Sequence, residues 1–387
     1  MTLRAVRKEQ SKMFENTKKL LDVAVGMGIP AAEVSIYHKG NEVFRERRGV
    51  SDENGTPLFG NELYNIYSCS KFITCTAALK LYEEGKFSLD DDIADYIPAF
   101  GDMKVKRESG IYKAEKRIKI RDLFTMTSGL NYSCGSEEVA EGKKMTDGKC
   151  PTVEMMKYIA KMPLDFEPGE TWHYSLSHDV IGALIEVVSG KRFGEYVKDL
   201  IFDPLGMKDS TYLLSPERLP EVCEQYLYEH DEKKYINTGR DISIFKLGSE
   251  YESGGAGVVS TVNDYMLFLE AMRLGKILNE ETQALMTKNH LTDAQRQTYW
   301  GAARYGYGLG VRVPLGDGKR TDYGWNGAAG AFAAVDPKND ITVYYSQHVR
   351  KSLFGPIRKD FIEAAKLDLG FEAFVEDMYN GEGNALA

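Results

Sequence analysis

The 387-residue sequence predicts an α/β protein whose single sheet is assembled from strands at the two ends of the chain, with helices between them. Three observations carry this expectation. Short alternating or β-branched runs occur at residues 32–37 and 42–47, and again near residues 307–313, 331–335 and 341–346. Helical spacing dominates the segments between those groups. With 43 % hydrophobic residues and no internal repeat or low-complexity tract, the chain can bury a large core and hold one big domain or two.

Taken in order, residues 1–26 mix Arg4, Arg7, Lys8, Glu9, Lys12, Glu15, Lys18 and Lys19 with Leu20, Leu21 and Val23, an amphipathic helix rather than a secretion signal. Lys39-Gly40-Asn41 between the first two strands is a hairpin signal. Residues 72–81 are apolar almost all round, as in a buried central helix, and Gly85 supplies a stop. Ser88 to Ile93 opens an acidic first turn, and residues 118–126 carry a helical pattern ending at Ser128-Gly129. Residues 132–152 are polar and contain Gly135, Gly142 and Gly148, which reads as a long loop: a lid, or a surface insertion without consequence. Helical patterns return at 180–188, after a Ser177 cap, and at 196–202 and 262–274. The expected organisation is a catalytic domain from 1–85 and 250–370, a mainly helical subdomain 86–249 with loop insertion 131–153, and an acidic tail 371–387 reading as a short helix and a loose end.

Composition excludes several function classes. A net charge of −9 without a basic stripe argues against nucleic acid. No run of about 18 apolar residues is present to span a membrane. Five cysteines, Cys69, Cys75, Cys134, Cys150 and Cys223, lack a C-x-x-C pair and fit free thiols in the cytoplasm, although Cys134 and Cys150 could pair if the protein were exported. The six histidines show no H-x-H or H-E-x-x-H spacing, so no metal and no cofactor is expected. A G-x-S-x-G elbow and a G-x-x-x-x-G-K loop are both missing. Nothing in the sequence speaks to oligomeric state.

Chemistry enters at Ser68-Cys69-Ser70-Lys71, which opens the apolar helix. Side chains at i and i+3 share a helix face with Cβ atoms roughly 5–6 Å apart, so Lys71 can take the proton of Ser68, a hydroxyl that is a poor nucleophile unaided. The amine has to be unprotonated near neutrality, which burial and the positive end of the helix favour. A second S-x-x-K string, Ser243-Ile244-Phe245-Lys246, opens no long apolar helix and reads as accidental. Tyr174 lies in a polar turn, Pro168 to Leu176, that feeds a helix, a position suited to a proton relay or simply to packing. In Tyr323-Gly324-Trp325-Asn326-Gly327-Ala328-Ala329-Gly330, the glycines permit close backbone approach at a strand edge and could aim an amide N–H at an acyl oxygen; the bland alternative is a tight bend anchored by Trp325.

These three elements, in this order, resemble the serine hydrolase family of class C β-lactamases, penicillin-binding DD-peptidases and their esterase relatives. Residues 118–130, Phe166-Glu167-Pro168-Gly169-Glu170, Pro204-Leu205-Gly206-Met207 and Gly254-Gly255-Ala256-Gly257 match further segments of that family, over residues 27–348. The resemblance implies an antiparallel sheet flanked by helices, an all-helical subdomain, and a site at their junction. It implies Ser68 as acylated nucleophile, Lys71 as its base, Tyr174 as second base, and the backbone N–H groups of Ser68 and Ala328 as the oxyanion hole. Two departures matter: Leu176 stands where the family usually has asparagine, and Trp325 where it has lysine or histidine. Without that cation, carboxylate-bearing substrates would bind poorly. Tyr174-Ser175-Leu176 with Trp325-Asn326-Gly327 looks like the esterase branch, which implies a small uncharged ester as substrate; Trp325, Asn326, Gly327, Leu176, Trp172 and Tyr251 are the candidate substrate-binding residues, and Trp172, Tyr251, Tyr305 and Trp325 are walls of the site or simply scaffold. The alternatives are a β-lactamase, DD-peptidase or aminopeptidase-like amide hydrolase, or a catalytically idle binding protein.

Overall fold

A computed structural model describes residues 14–240, 243, 245–376, 378 and 379. Its central element is a seven-stranded antiparallel sheet in the order β2-β1-β7-β6-β5-β4-β3. The strands are β1 (Ala31–His38), β2 (Asn41–Gly49), β3 (Gly306–Tyr307), β4 (Arg312–Val313), β5 (Tyr323–Asn326), β6 (Phe332–Asp336) and β7 (Ile341–Gln347). Both chain ends meet where β1 pairs with β7, Val34 opposite Tyr345 and Ile36 opposite Val343. The reading near 307–313 as one strand needs correction: the chain turns through Gly308 to Gly310 and pairs with itself, Arg312 opposite Tyr307.

Period-two alternation assigns the sheet's two faces. Val34, Ile36, Phe332, Ala334, Val343 and Tyr345 face helices α1 (Glu15–Gly26) and α9 (Phe361–Asp368), whose Leu20, Leu21, Ala24, Phe361, Ile362 and Ala365 complete one core. Ala333, Val335 and Tyr344 face the opposite way, into a larger core with α2 (Ser70–Glu83) and α7 (Val262–Arg273). In α2 every residue from Ser70 to Leu79 is buried, as expected of a helix with no polar face. It ends at Gly85, whose φ of +68° suits a residue without Cβ.

Between the two groups of sheet strands lie α3 (Ile120–Phe124), α4 (Glu137–Met145), α5 (Thr152–Ile159), α6 (Ser177–Ser189), further short helices, and two hairpins, Lys104–Arg107 with Gly110–Lys113 and Gln225–Glu229 with Lys234–Gly239. The insertion 131–153 is therefore not the structureless loop expected. Ser136 caps α4 by accepting from the Val139 N–H at 3.2 Å, with Glu137 and Glu138 in the first turn and Lys143 and Lys144 in the last, matching the helix dipole. Gly142 within it lets the backbone approach α5; a Cβ there would lie 2.7 Å from Met155 Cε. The expected helix at 196–202 splits into a short helix, Phe193–Val197, and a wider turn, Lys198–Phe202. Of the tail, the described residues between 371 and 379 form no helix. Residues 1–13 and 380–387, on which part of the amino-terminal helix and of the tail were read, lie outside the described residues. Among the described residues no helix is long and apolar enough to cross a membrane, and all five cysteines are free.

Candidate active site

Ser68 sits in the tight turn Tyr67–Cys69 that leads into α2, and Tyr67 before it holds a left-handed φ of +47°. A bulky residue adopts that conformation only when its surroundings impose it. Here the Tyr67 hydroxyl donates to Gln225 Oε1 at 2.6 Å, and a Cβ on Gly327 would stand 2.4 Å from the Ile66 carbonyl oxygen. The turn after β5, carrying Gly327 and the exposed Ala328, thus packs directly against the segment bearing Ser68. It is closed by the Gly327 N–H donating to Ala331 O at 2.8 Å.

Lys71 is fully buried. Its amine donates to Gly255 O at 2.7 Å and lies 3.5 Å from Ser68 Oγ and 3.4 Å from the Tyr132 hydroxyl. It also stands 4.5 Å from the centroid of the Tyr174 ring. The glycines of Gly254-Gly255-Ala256-Gly257 have a structural reason. The segment threads between α2 and α6, where Thr74 Oγ1 donates to Gly254 O and the Val258 N–H donates to Ser70 Oγ; a Cβ on Gly254 would meet the His178 carbonyl oxygen at 2.1 Å.

Tyr174, in the loop before α6, has its hydroxyl 3.4 Å from Trp325 Nε1, which donates to it. Trp325 faces this side because β5 alternates: it shares a face with Tyr323, whose ring packs on Phe72 of α2, whereas the Asn326 side chain accepts from Arg312 on the opposite face. Around Tyr174 the rings of Tyr132, Trp172, Trp300 and Trp325 close within 5.6–6.1 Å.

Two of these residues escape the sequence. Tyr132 belongs to the polar stretch read as loop, yet it stacks on Tyr174 and touches the Lys71 amine. Burial raises its hydroxyl well above the usual range, so it stays neutral. Trp300 follows α8 (Asp293–Arg296), a segment stapled to the Tyr174 loop by the Thr298 hydroxyl donating to Trp172 O at 2.9 Å and Gln295 Nε2 donating to Gly169 O at 2.8 Å. It is 62 % exposed while touching both Tyr174 and Trp325, the position of an outer wall.

Several expected walls are placed elsewhere. Leu176 is buried in the main core at the start of α6, Trp172 lies beneath Tyr174 among Tyr299, Tyr307 and Trp325, and Asn326 is turned toward Arg312. Tyr251 and Tyr305 are buried with their hydroxyls donating to Asp179 and Asp322. Adjacency in sequence to Tyr174 or Trp325 misled, because a half-turn of helix or one strand position sends a side chain inward. Phe245, from the second S-x-x-K string, is in no helix and packs edge-on against Tyr67 and Tyr132; Ile244 lies outside the described residues.

An antiparallel sheet flanked by helices, with a serine and a lysine on one helical turn packed against its face, defines a β-lactamase/transpeptidase-like serine hydrolase. The chain belongs to the beta-lactamase family, whose model matches residues 18–365. It is 30 % identical over 295 residues to esterase EstB of Burkholderia gladioli, covering 70 % of this chain and 73 % of that one. In structure it resembles EstCE1, described as a hydrolase with promiscuous acyltransferase activity, with TM-score 0.74, 24 % identity and coverage of 93 % and 99 % of the two chains. It also resembles a D-stereospecific amidohydrolase from Streptomyces sp., with TM-score 0.67, 21 % identity and coverage of 90 % and 97 %. At these identities the two structures speak to the fold alone.

Proposed function

We propose that this hydrolase is a carboxylesterase that cleaves small, uncharged esters through an acyl-enzyme. Ser68 Oγ attacks the ester carbonyl while its proton passes to the Lys71 amine, and the carbonyl oxygen, now negative, is received by the backbone N–H groups of Ser68 and Ala328. Tyr174, fixed beneath Trp325, relays a proton to the departing alkoxide, and the acyl group stays on Ser68 until water, or another small alcohol or amine, removes it by the reverse proton path.

The observation that carries the ester reading is the indole of Trp325 at the strand position facing Tyr174. A neutral aromatic wall there offers no counter-charge to a substrate carboxylate, whose desolvation would go uncompensated, and it favours an apolar, uncharged acyl or alcohol group. The likeness to esterase EstB supports the same reading.

The test offers purified protein a chromogenic short-chain acyl ester and a chromogenic cephalosporin in parallel, with Ser68→Ala as control. Ester turnover that vanishes in the variant is expected. Cephalosporin ring opening at comparable efficiency would move the assignment to amide chemistry, and inactivity on both would move it to a binding role.

A further inference from the structure

We propose that Asp179, in the first turn of α6, is a positioning residue for Lys71, holding the amine on the Gly255 carbonyl and setting the pH below which it stops accepting the Ser68 proton. This rests on the Ser68–Lys71 reading above and extends it to a residue outside that pair.

Asp179 is 1 % exposed. A buried carboxylate needs partners, and this one is only half provided for. Its Oδ1 accepts from Ser253 Oγ at 2.7 Å and from the Tyr251 hydroxyl at 3.0 Å, while Oδ2 is buried without a hydrogen bond of ordinary geometry. Oδ2 faces the bare Cα of Gly255: a Cβ there would lie 2.6 Å from Oδ2, 3.1 Å from Lys71 Nζ and 3.2 Å from the Tyr132 hydroxyl. Carboxylate, amine and phenol therefore converge on one side of Gly255, and only glycine leaves room for them. The hydrogen bonds from Ser253 and Tyr251 aim the carboxylate, and its place in the first turn of a helix favours negative charge.

Charge makes the arrangement functional. Burial pushes the Asp179 carboxyl up, opposed by the Ser253 hydroxyl, the Lys71 charge, the Tyr251 hydroxyl and, least, the Gly255 N–H. The titratable groups facing it are Lys71 from α2, Tyr132 and Cys134 from the segment before α4, Tyr212, and Tyr251. The tyrosines and the thiol are held neutral by burial. His178, next in sequence, is held neutral as well, driven down to about 3 with its ring against the Phe124 carbonyl. Among the described residues Lys71 is thus the cation that Asp179 answers, and an interior of low dielectric screens the attraction between the two charges poorly.

The test is the pH dependence of Ser68 labelling by a fluorophosphonate, followed by mass spectrometry from pH 5 to 9. Asp179→Asn keeps an acceptor for Ser253 and Tyr251 but removes the charge that favours the ammonium form. The expected result is an acid limb displaced to lower pH by about one unit, with a plateau rate about tenfold lower as the amine loosens. Tyr251→Phe keeps the charge but frees the carboxylate, and is expected to slow the plateau several-fold without moving the limb. An Asp179→Asn limb that superimposes on the wild type, in protein that melts normally, would overturn the inference. Should that variant not fold, an unaltered plateau in Tyr251→Phe would overturn it instead. Wild-type labelling at Ser68 that disappears in Lys71→Met establishes the underlying mechanism separately; its absence would count against the Ser68–Lys71 reading.

Discussion

The indole N–H of Trp325 and the hydroxyl of Tyr174 lie 3.4 Å apart, with their rings stacked at a centroid distance of 6.1 Å and an interplanar angle of 22°. Strand β5, paired on both sides within the antiparallel sheet, and a loop of the helical region are joined through this pair. The bond leaves the tyrosine oxygen an acceptor on one side and free to exchange its proton on another, which a relay requires. Trp325→Phe keeps an aromatic ring and removes the donor. Because a neutral hydrogen bond contributes about 0.5–1.5 kcal/mol net, kcat on a short-chain ester is expected to fall roughly threefold to tenfold with KM little changed. An unchanged kcat would mean that the pair only packs.

The amine beside Ser68 carries a larger effect. Lys71→Met fills similar volume with an apolar chain and removes the amine 3.5 Å from Oγ that we propose as proton acceptor. Acylation is expected to drop by several orders of magnitude, about as far as in Ser68→Ala, because residues acting as one unit are not additive. Single-turnover ester kinetics measure this, and a double variant no worse than either single one is the second expected outcome. Near wild-type acylation in Lys71→Met would require another base.

What could be read from the sequence follows physical lines. Ser68 and Lys71 were legible because helix periodicity alone brings i and i+3 together, and α2 was legible because an all-apolar helix has to be central. The glycine segment at 254–257 was visible as a motif, but its reason, passage between α2 and α6, is a tertiary fact. Helix α4 was missed for a comparable cause: Val139 and Gly142 are its buried positions, and what orders it is Gly142 seated on Met155 and Tyr158. Tyr132, Asp179 and Trp300 come from segments with no chemical signature of their own and reach the site only through folding. Leu176, by contrast, looked functional from its place beside Tyr174 and is core.

Trp300 offers a test of whether an outer aromatic wall selects substrate. Its ring lies 5.5 Å from Trp325 and 6.0 Å from Tyr174 by centroid, with most of its surface open to solvent. An acyl or alcohol group too large for the inner site would lie against it. Trp300→Ala should therefore lower kcat/KM for a 4-nitrophenyl ester with an aromatic acyl group by roughly threefold to tenfold relative to the acetate, the range of one aromatic contact. Equal losses on both esters would show that Trp300 only supports the Tyr174 loop.

Acid sensitivity follows from His348, buried against Tyr64 and Asn65 in the segment leading to Ser68. Its Nδ1 donates to the Cys223 carbonyl at 2.6 Å, and its Nε2 accepts from the Asn65 N–H at 3.3 Å, an arrangement only the neutral ring can make. Burial is the chief cause that lowers its pKa from 6.5 to about 4. For a base whose folded-state value lies below its unfolded one, the stabilisation is fully present above the unfolded value and drains as pH falls from about 6.5 toward about 4. The loss from this one ring is on the order of 3 kcal/mol, and His178, held lower still, adds to it. His348→Gln can still accept from Asn65, so the variant should be less stable at pH 7 but lose melting temperature less steeply between pH 6.5 and 4.5. Thermal unfolding across that range measures the difference, and parallel curves for the two proteins would rule out His348 as the source.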